Sequence, residues 1–225
     1  MQLRIPDLPE PVKVVKHPAK YSNGLMPVFL KMLSGAKIVL DPFAGTGKIT
    51  YLKHFMPETN FVAVELEPEW ATMTVGNALR LPFADNTFDA VCTSPTYGNR
   101  MADGLRQSVL DGKWTTHCYA DKLGRRLSSD NSGAMQWGDT YRQFHIEAWL
   151  ETSRVLRTDS MLILNIKDHI RDGKVQPVTE WHIGTIKDVG FELVEHIEVD
   201  TPSMRYGRNS EKRVGCESVI KFIKL

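Results

Sequence analysis

The chain has 225 residues, 42% hydrophobic and 24% charged, with a formal net charge of +1; this suits a single domain over residues 1–225 and excludes a strongly basic polyanion binder, leaving room for a local basic patch. No run of about 18 apolar residues marks a membrane span, and residues 1–15 lack the compact apolar segment of a secretory leader. Cys92, Cys118 and Cys216 are odd in number and far apart, which excludes a disulfide framework or zinc knuckle and points to a reducing, cytoplasmic setting.

The first ~15 residues carry several prolines and read as an extended arm. Over residues 22–33, Leu25, Phe29, Leu30 and Leu33 share one helical face. Residues 37–41 (KIVLD) form a short apolar run that fits a buried parallel strand. A glycine-bearing turn leads into a predicted helix at 46–55, and residues 61–65 read as a second buried strand. Residues 68–75 are predicted as a helix, because Pro68 in a first turn sacrifices no hydrogen bond. Residues 88–93 form a third strand. Residues 99–138 are rich in Gly, Ser, Asp and basic residues, with no sustained period. That stretch is too long for a simple connection and reads as a substrate-facing insertion.

Regularity returns at Asp139, a candidate helix cap. Phe144, Ala148, Trp149, Thr152, Val155 and Leu156 follow at helical spacing. Residues 160–166 form a strand. Pro177 opens a further helix, which Gly190 is suited to end. Residues 191–199 and 217–223 are two closing strands, expected to be antiparallel to each other. Strands alternating with helices predict a doubly wound α/β sheet.

Asp41-Pro-Phe-Ala-Gly45-Thr-Gly47 sits between a strand and a helix, where open parallel sheets bind ligands. Its two glycines let backbone approach a ligand closely. A phosphate-binding P-loop fails on two counts: Pro42 stands at the first glycine position, and Ile49 follows Lys48. A dinucleotide fingerprint is weakened by Thr50 at its last position. Asp41, directly before the loop, suits an ammonium group better than a pyrophosphate. Glu65 ends the second strand, where a carboxylate accepts bonds from ribose hydroxyls. An amine, a ribose and no phosphate describe S-adenosylmethionine. Asn77 can bond an adenine edge through its amide.

The same loop, followed by Ser94-Pro95-Thr96-Tyr97, resembles the amino-methyltransferases of DNA. Those enzymes carry a D-P-F-x-G-x-G loop and a [DNS]-P-P-[YFW] tetrad. His17-Pro-Ala-Lys-Tyr21-Ser22 is similar to their N-terminal element. The resemblance implies a mostly parallel, seven-stranded Rossmann-like sheet with helices on both faces. It implies that S-adenosylmethionine is held by Tyr21, Asp41, Pro42, Ala44, Gly45, Gly47, Glu65, Leu66, Asn77 and Ala78. By the same resemblance, the Ser94 side chain and the Pro95 carbonyl accept the N–H bonds of an exocyclic amine. Tyr97 stacks on the base, which leaves the duplex to reach the site. No metal is required. This chain departs from the family at Thr96, where the second proline usually stands.

Two basic clusters are expected to grip a nucleic-acid backbone. One holds Arg100, Arg106, Lys113, Lys122, Arg125 and Arg126, interleaved with Trp114, Tyr119 and Trp137. The other holds Arg205, Tyr206, Arg208, Lys212 and Arg213. The expected substrate is DNA at cytosine N4 or adenine N6, with Ser94 leaning toward cytosine. RNA, a protein glutamine, or a silent subunit that assists nucleic-acid binding are the alternatives.

Overall fold

A computed structural model describes residues 22–98, 119, 123–201 and 214–225. Tyr21, Arg100, Arg205, Arg208 and the N-terminal arm lie outside the described residues, as does most of the insertion. Seven strands form one sheet: β1 (Ile38–Asp41), β2 (Asn60–Glu65), β3 (Thr74–Val75), β4 (Phe88–Thr93), β5 (Leu156–Ile166), β8 (Phe191–Asp200) and β9 (Cys216–Lys224). Their spatial order is β3-β2-β1-β4-β5-β9-β8. The first five pair in parallel, while β9 runs antiparallel to both β5 and β8. The predicted doubly wound, mostly parallel sheet is therefore present, including the antiparallel closing pair.

Side chains alternate across a strand, so each short apolar run serves two layers. Leu40, Val91, Leu162, Leu164, Ile220 and Phe222 face one layer, which contains α2 (Asp139–Val155) and α3 (Val178–Asp188). Val39, Ala90, Cys92, Ile163 and Val219 face the other. There they meet Met26, Phe29 and Met32 of α1 (Met26–Met32), with Ile49 and Leu52. Both faces are thus buried, as strands with no polar alternation require.

Three local expectations are corrected. The helix expected at 68–75 is absent. One tight turn forms, with the N–H groups of Trp70 and Ala71 both donating to the Glu67 carbonyl. Thr74 and Val75 then pair with Val64 and Glu65 as strand β3. Two β-branched residues beside an open sheet edge gain more from pairing than from continuing a helix. The helix expected at 46–55 is a 3-10 segment, Lys48–His54. At its start the Thr50 amide and hydroxyl both donate to the Gly47 carbonyl, which holds the i to i+3 pattern. Asp139 begins α2 but makes no capping bond; it lies in the first turn, where its charge suits the helix dipole.

The hairpin of β6 (His169–Arg171) and β7 (Lys174–Gln176) was not anticipated. Its signal was the Asp172-Gly173 pair, whose φ values of 51° and 75° make the left-handed two-residue turn that such pairs favour. Among the described residues, no helix is long and apolar enough to cross a membrane.

Candidate active site

The carboxyl ends of β1, β2, β4 and β5 meet along one edge of the sheet. Because β9 is antiparallel, its amino end arrives at that same edge. Asn165 and Ile166 of β5 lie opposite Val219 and Ser218, which brings Glu217 just past the tip of β5. A cavity of about 340 Å³ opens along these tips.

The loop after β1 forms one wall. The Ala44 amide donates to the Val64 carbonyl at 3.0 Å. The Gly45 amide donates to Glu65 Oε2 at 2.9 Å, and the Glu67 amide to Glu65 Oε1 at 2.9 Å. Glu65 thereby binds the loop to the tip of β2 while still lining the cavity. Burial pushes its carboxyl above the usual carboxylate range, against the pull of these N–H donors. Gly45 and Gly47 both lie at positive φ, 53° and 70°. A Cβ at Gly47 would sit 2.4 Å from Thr72 Oγ1. Gly47→Ala should cost about 1–3 kcal/mol of stability, read by urea denaturation. An unchanged midpoint would contradict the packing described.

Asp41, expected to contact a ligand amine, stands directly behind the residues that line this cavity. It is wholly buried, and its Oδ1 accepts bonds from Thr93 Oγ1 at 2.6 Å and the Phe43 amide at 3.1 Å. Its carboxylate is turned into the sheet, where it ties the tip of β1 to the tip of β4. Gly47 likewise stands behind the wall, against Thr72. Pro42, Ala44, Gly45, Glu65, Leu66, Asn77 and Ala78 do line the cavity. Asn77 is held at both ends of its amide, by Asp130 Oδ2 and the Leu79 amide.

Arg125, expected to contact a nucleic-acid backbone, is paired with two glutamates. Its guanidinium binds Glu69 through two nitrogens and Glu67 through one, at 2.7–2.8 Å. Glu67 is fully buried and accepts further bonds from the Ser128 amide, the Ser128 hydroxyl and the Asn131 amide group. These donors hold its carboxyl below the ordinary range despite burial. The result is a clasp that fixes residues 125–132 over the cavity, which Asp130, Asn131 and Ser132 help to line. Glu67→Ala should therefore cost about 1–3 kcal/mol, since it leaves the Ser128 and Asn131 donors without their acceptor while Arg125 keeps Glu69. Thermal unfolding checks this. Arg126 is exposed and outside the cavity.

Two aromatics of the first basic cluster lie among the described residues. Trp137 packs in the core against Tyr141 and Trp181. Tyr119 lines the cavity beside Trp70.

Ser94, Pro95 and Tyr97 form the facing wall. Ser94 Oγ lies 3.2 Å from Tyr97 Oη. Asn165 Nδ2 lies 3.2 Å from each of these oxygens and 2.9 Å from Glu217 Oε2. Tyr97 Oη donates to Glu217 Oε2 at 3.4 Å. Burial, and then the Glu217 charge, push the Tyr97 phenol well above its usual range, so it stays protonated. Asn165 and Glu217 were not visible as site residues in the sequence.

A buried chain supports the tetrad from behind. Trp149 Nε1–H donates to His182 Nδ1 at 3.1 Å. That leaves the His182 proton on Nε2, which donates to Tyr141 Oη at 2.9 Å. Tyr141 in turn donates to the Thr96 carbonyl at 2.7 Å. Thr96 Oγ1 donates to Ser132 Oγ at 3.0 Å. The Thr96 hydroxyl therefore bonds the clasped segment.

By sequence, no protein-family model and no curated protein matches the chain. By structure, it is similar to the PH0226 protein of Pyrococcus horikoshii OT3, with a TM-score of 0.55 at 13% identity over 90% of this chain and 89% of that one. It is similar to an S-adenosylmethionine-dependent methyltransferase of Methanosarcina mazei, at TM-score 0.52 and 14% identity over 88% and 97% of the two chains. A third likeness is to the 1,6-didemethyltoxoflavin N1-methyltransferase of Burkholderia thailandensis, solved with S-adenosylhomocysteine, at TM-score 0.50 and 15% identity over 90% and 77%. The chain has the Rossmann-like fold of S-adenosylmethionine-dependent methyltransferases.

Proposed function

We propose that the chain moves a methyl group from S-adenosylmethionine to an exocyclic amino nitrogen of a DNA base, cytosine N4 or adenine N6. The observation that carries this reading is a single cavity with two unlike walls. One wall presents Ala44, Gly45, Glu65 and Asn77; the other presents Ser94, Pro95 and Tyr97. The volume falls within the ~300–1,000 Å³ typical of small-molecule sites.

The first wall fits the cofactor. Glu65 keeps accepting capacity on a carboxylate already fixed by two amides, as ribose hydroxyls require. Trp70 and Tyr119 add aromatic surface for a purine ring. When bound, S-adenosylmethionine supplies an electrophilic methyl group on a sulfonium centre. The second wall fits the amine. An exocyclic amine is delocalised into its base and is a poor nucleophile until acceptors draw its N–H bonds out of plane. Ser94 Oγ and the Pro95 carbonyl are those acceptors, and the remaining advantage is alignment. Phosphate contacts through Arg100, Arg126, Arg205 and Arg208 belong to this reading. Charge reversal at these four should lower DNA affinity and flatten its salt dependence.

The test supplies labelled S-adenosylmethionine with DNA and RNA separately, digests each polymer to nucleosides and identifies the product by mass. N4-methylcytosine or N6-methyladenine from DNA is expected. Label confined to RNA or to protein would move the substrate assignment; label in nothing would end it.

A further inference from the structure

From the array around Ser94, we infer that Glu217 sets the direction of the hydrogen bonds through Tyr97 and Ser94 and takes the proton that the methylated nitrogen must release. The inference rests on the amino-methylation reading above and assigns that site one more working residue.

The direction follows from what each group is able to do. The Asn165 amide nitrogen only donates, and its two N–H groups are shared among the Ser94, Tyr97 and Glu217 oxygens around it. A carboxylate oxygen only accepts, so Tyr97 donates to Glu217. Tyr97 Oη has then spent its proton, and within this array its contact with Ser94 forms only if Ser94 donates. Ser94 has in turn spent its own proton. What remains on Ser94 Oγ is a lone pair. A serine hydroxyl facing an amine is otherwise free to donate, which would withdraw the nitrogen lone pair from reaction. Glu217 and Asn165 remove that option from opposite ends.

The same arrows describe where the proton goes. In the transfer, the nitrogen lone pair forms the new N–C bond, the methyl–sulfur bond breaks, and its electron pair stays on sulfur. The nitrogen now carries one positive charge and an excess proton. That proton passes to Ser94 Oγ, the Ser94 proton to Tyr97 Oη, and the Tyr97 proton to Glu217 Oε2. Atoms and charge balance: the carboxylate becomes a carboxylic acid, which later returns its proton to water. Glu217 is half-buried and borders the cavity, so water can reach it. Tyr97 serves as a bridge and not as the final base, because burial keeps its phenol protonated.

Glu217→Gln keeps size and removes the obligate acceptor. Its kcat on DNA should fall by about 100-fold or more, the range of general-base loss. The S-adenosylmethionine Kd by calorimetry and the KM for DNA should change little, and Glu217→Asp should recover part of kcat. A second readout needs no substrate. In protein labelled at tyrosine 13Cζ, the Tyr97 resonance should move upfield in Glu217→Gln, while the Tyr141 resonance stays. Wild-type turnover with an unaltered kcat in Glu217→Gln would overturn the inference, as would an unmoved Tyr97 resonance. Failure of the functional reading looks different: the wild type itself would leave DNA unlabelled while the Tyr97 shift persists. Melting curves on all variants separate these outcomes from misfolding.

Discussion

Replacing Ser94 by alanine should lower kcat by about 100- to 1,000-fold and leave the S-adenosylmethionine Kd within about twofold. Ser94 lines the cavity on the wall opposite Glu65, and nothing in its bonding touches the loop after β1. In the proposed transfer its loss removes an acceptor that acts on the amine as the methyl arrives, so the deficit belongs in kcat. Tyr97 gives a graded comparison. Tyr97→Phe keeps the ring and loses the hydroxyl bonded to Ser94, Asn165 and Glu217. It should lower kcat while sparing substrate affinity. Tyr97→Ala removes the stacking surface too, worth roughly 1–3 kcal/mol, and should also raise the DNA KM. Single-turnover rates and calorimetry on the three variants check the pattern. Equal loss of turnover and cofactor affinity in Ser94→Ala would contradict the two-wall division.

The parts of this site legible in the sequence are those built from contiguous residues. The loop after β1 and the tetrad after β4 announce themselves by glycine and proline, because backbone conformation is their function. Glu65 is legible because strand ends recur at fixed offsets from that loop. Asn165 and Glu217 are not, since they come from β5 and β9 and converge only through an antiparallel pairing across 52 residues. Glu67 escaped for the same reason: its donors lie 58 to 64 residues away. Arg125 shows what charge alone leaves out, since its acids stand at positions 67 and 69. Basic residues among aromatics read as a nucleic-acid surface, but charge cannot be assigned to a partner until the acids that face it are known. The missing helix at 68–75 was lost to an edge pairing that no local propensity records.

Acid should destabilise the fold by about 3 kcal/mol through His145 alone, on the scale of 1.36 kcal/mol per pKa unit. His145 is completely buried. Burial lowers its pKa from 6.5 to about 4, only partly offset by the bond from Nδ1 to the Tyr141 carbonyl. Its Nε2 has no hydrogen-bond partner among the described residues. The unfolded chain therefore binds a proton near pH 6.5 that the folded chain refuses until near pH 4. Stability is fully present above pH 6.5 and is lost as pH falls through that window. His182, 5.1 Å away, is lowered as well by burial and by His145, and adds in the same direction. Glu65 works against both, since a carboxyl raised by burial favours the folded state as pH falls. A variant comparison isolates the histidine. Urea midpoints at pH 7.5 and pH 5 should differ clearly in the wild type and much less in His145→Leu. The effect reaches the site as well. His145 stacks on Phe43 of the loop after β1, with ring centroids 5.9 Å apart and planes 26° from parallel. A charge there must be solvated, and the loop that carries Ala44 and Gly45 lies in the way. Cofactor affinity should therefore fall between pH 7.5 and pH 5 more steeply in the wild type than in His145→Leu. Parallel losses in the two proteins would place the acid sensitivity elsewhere.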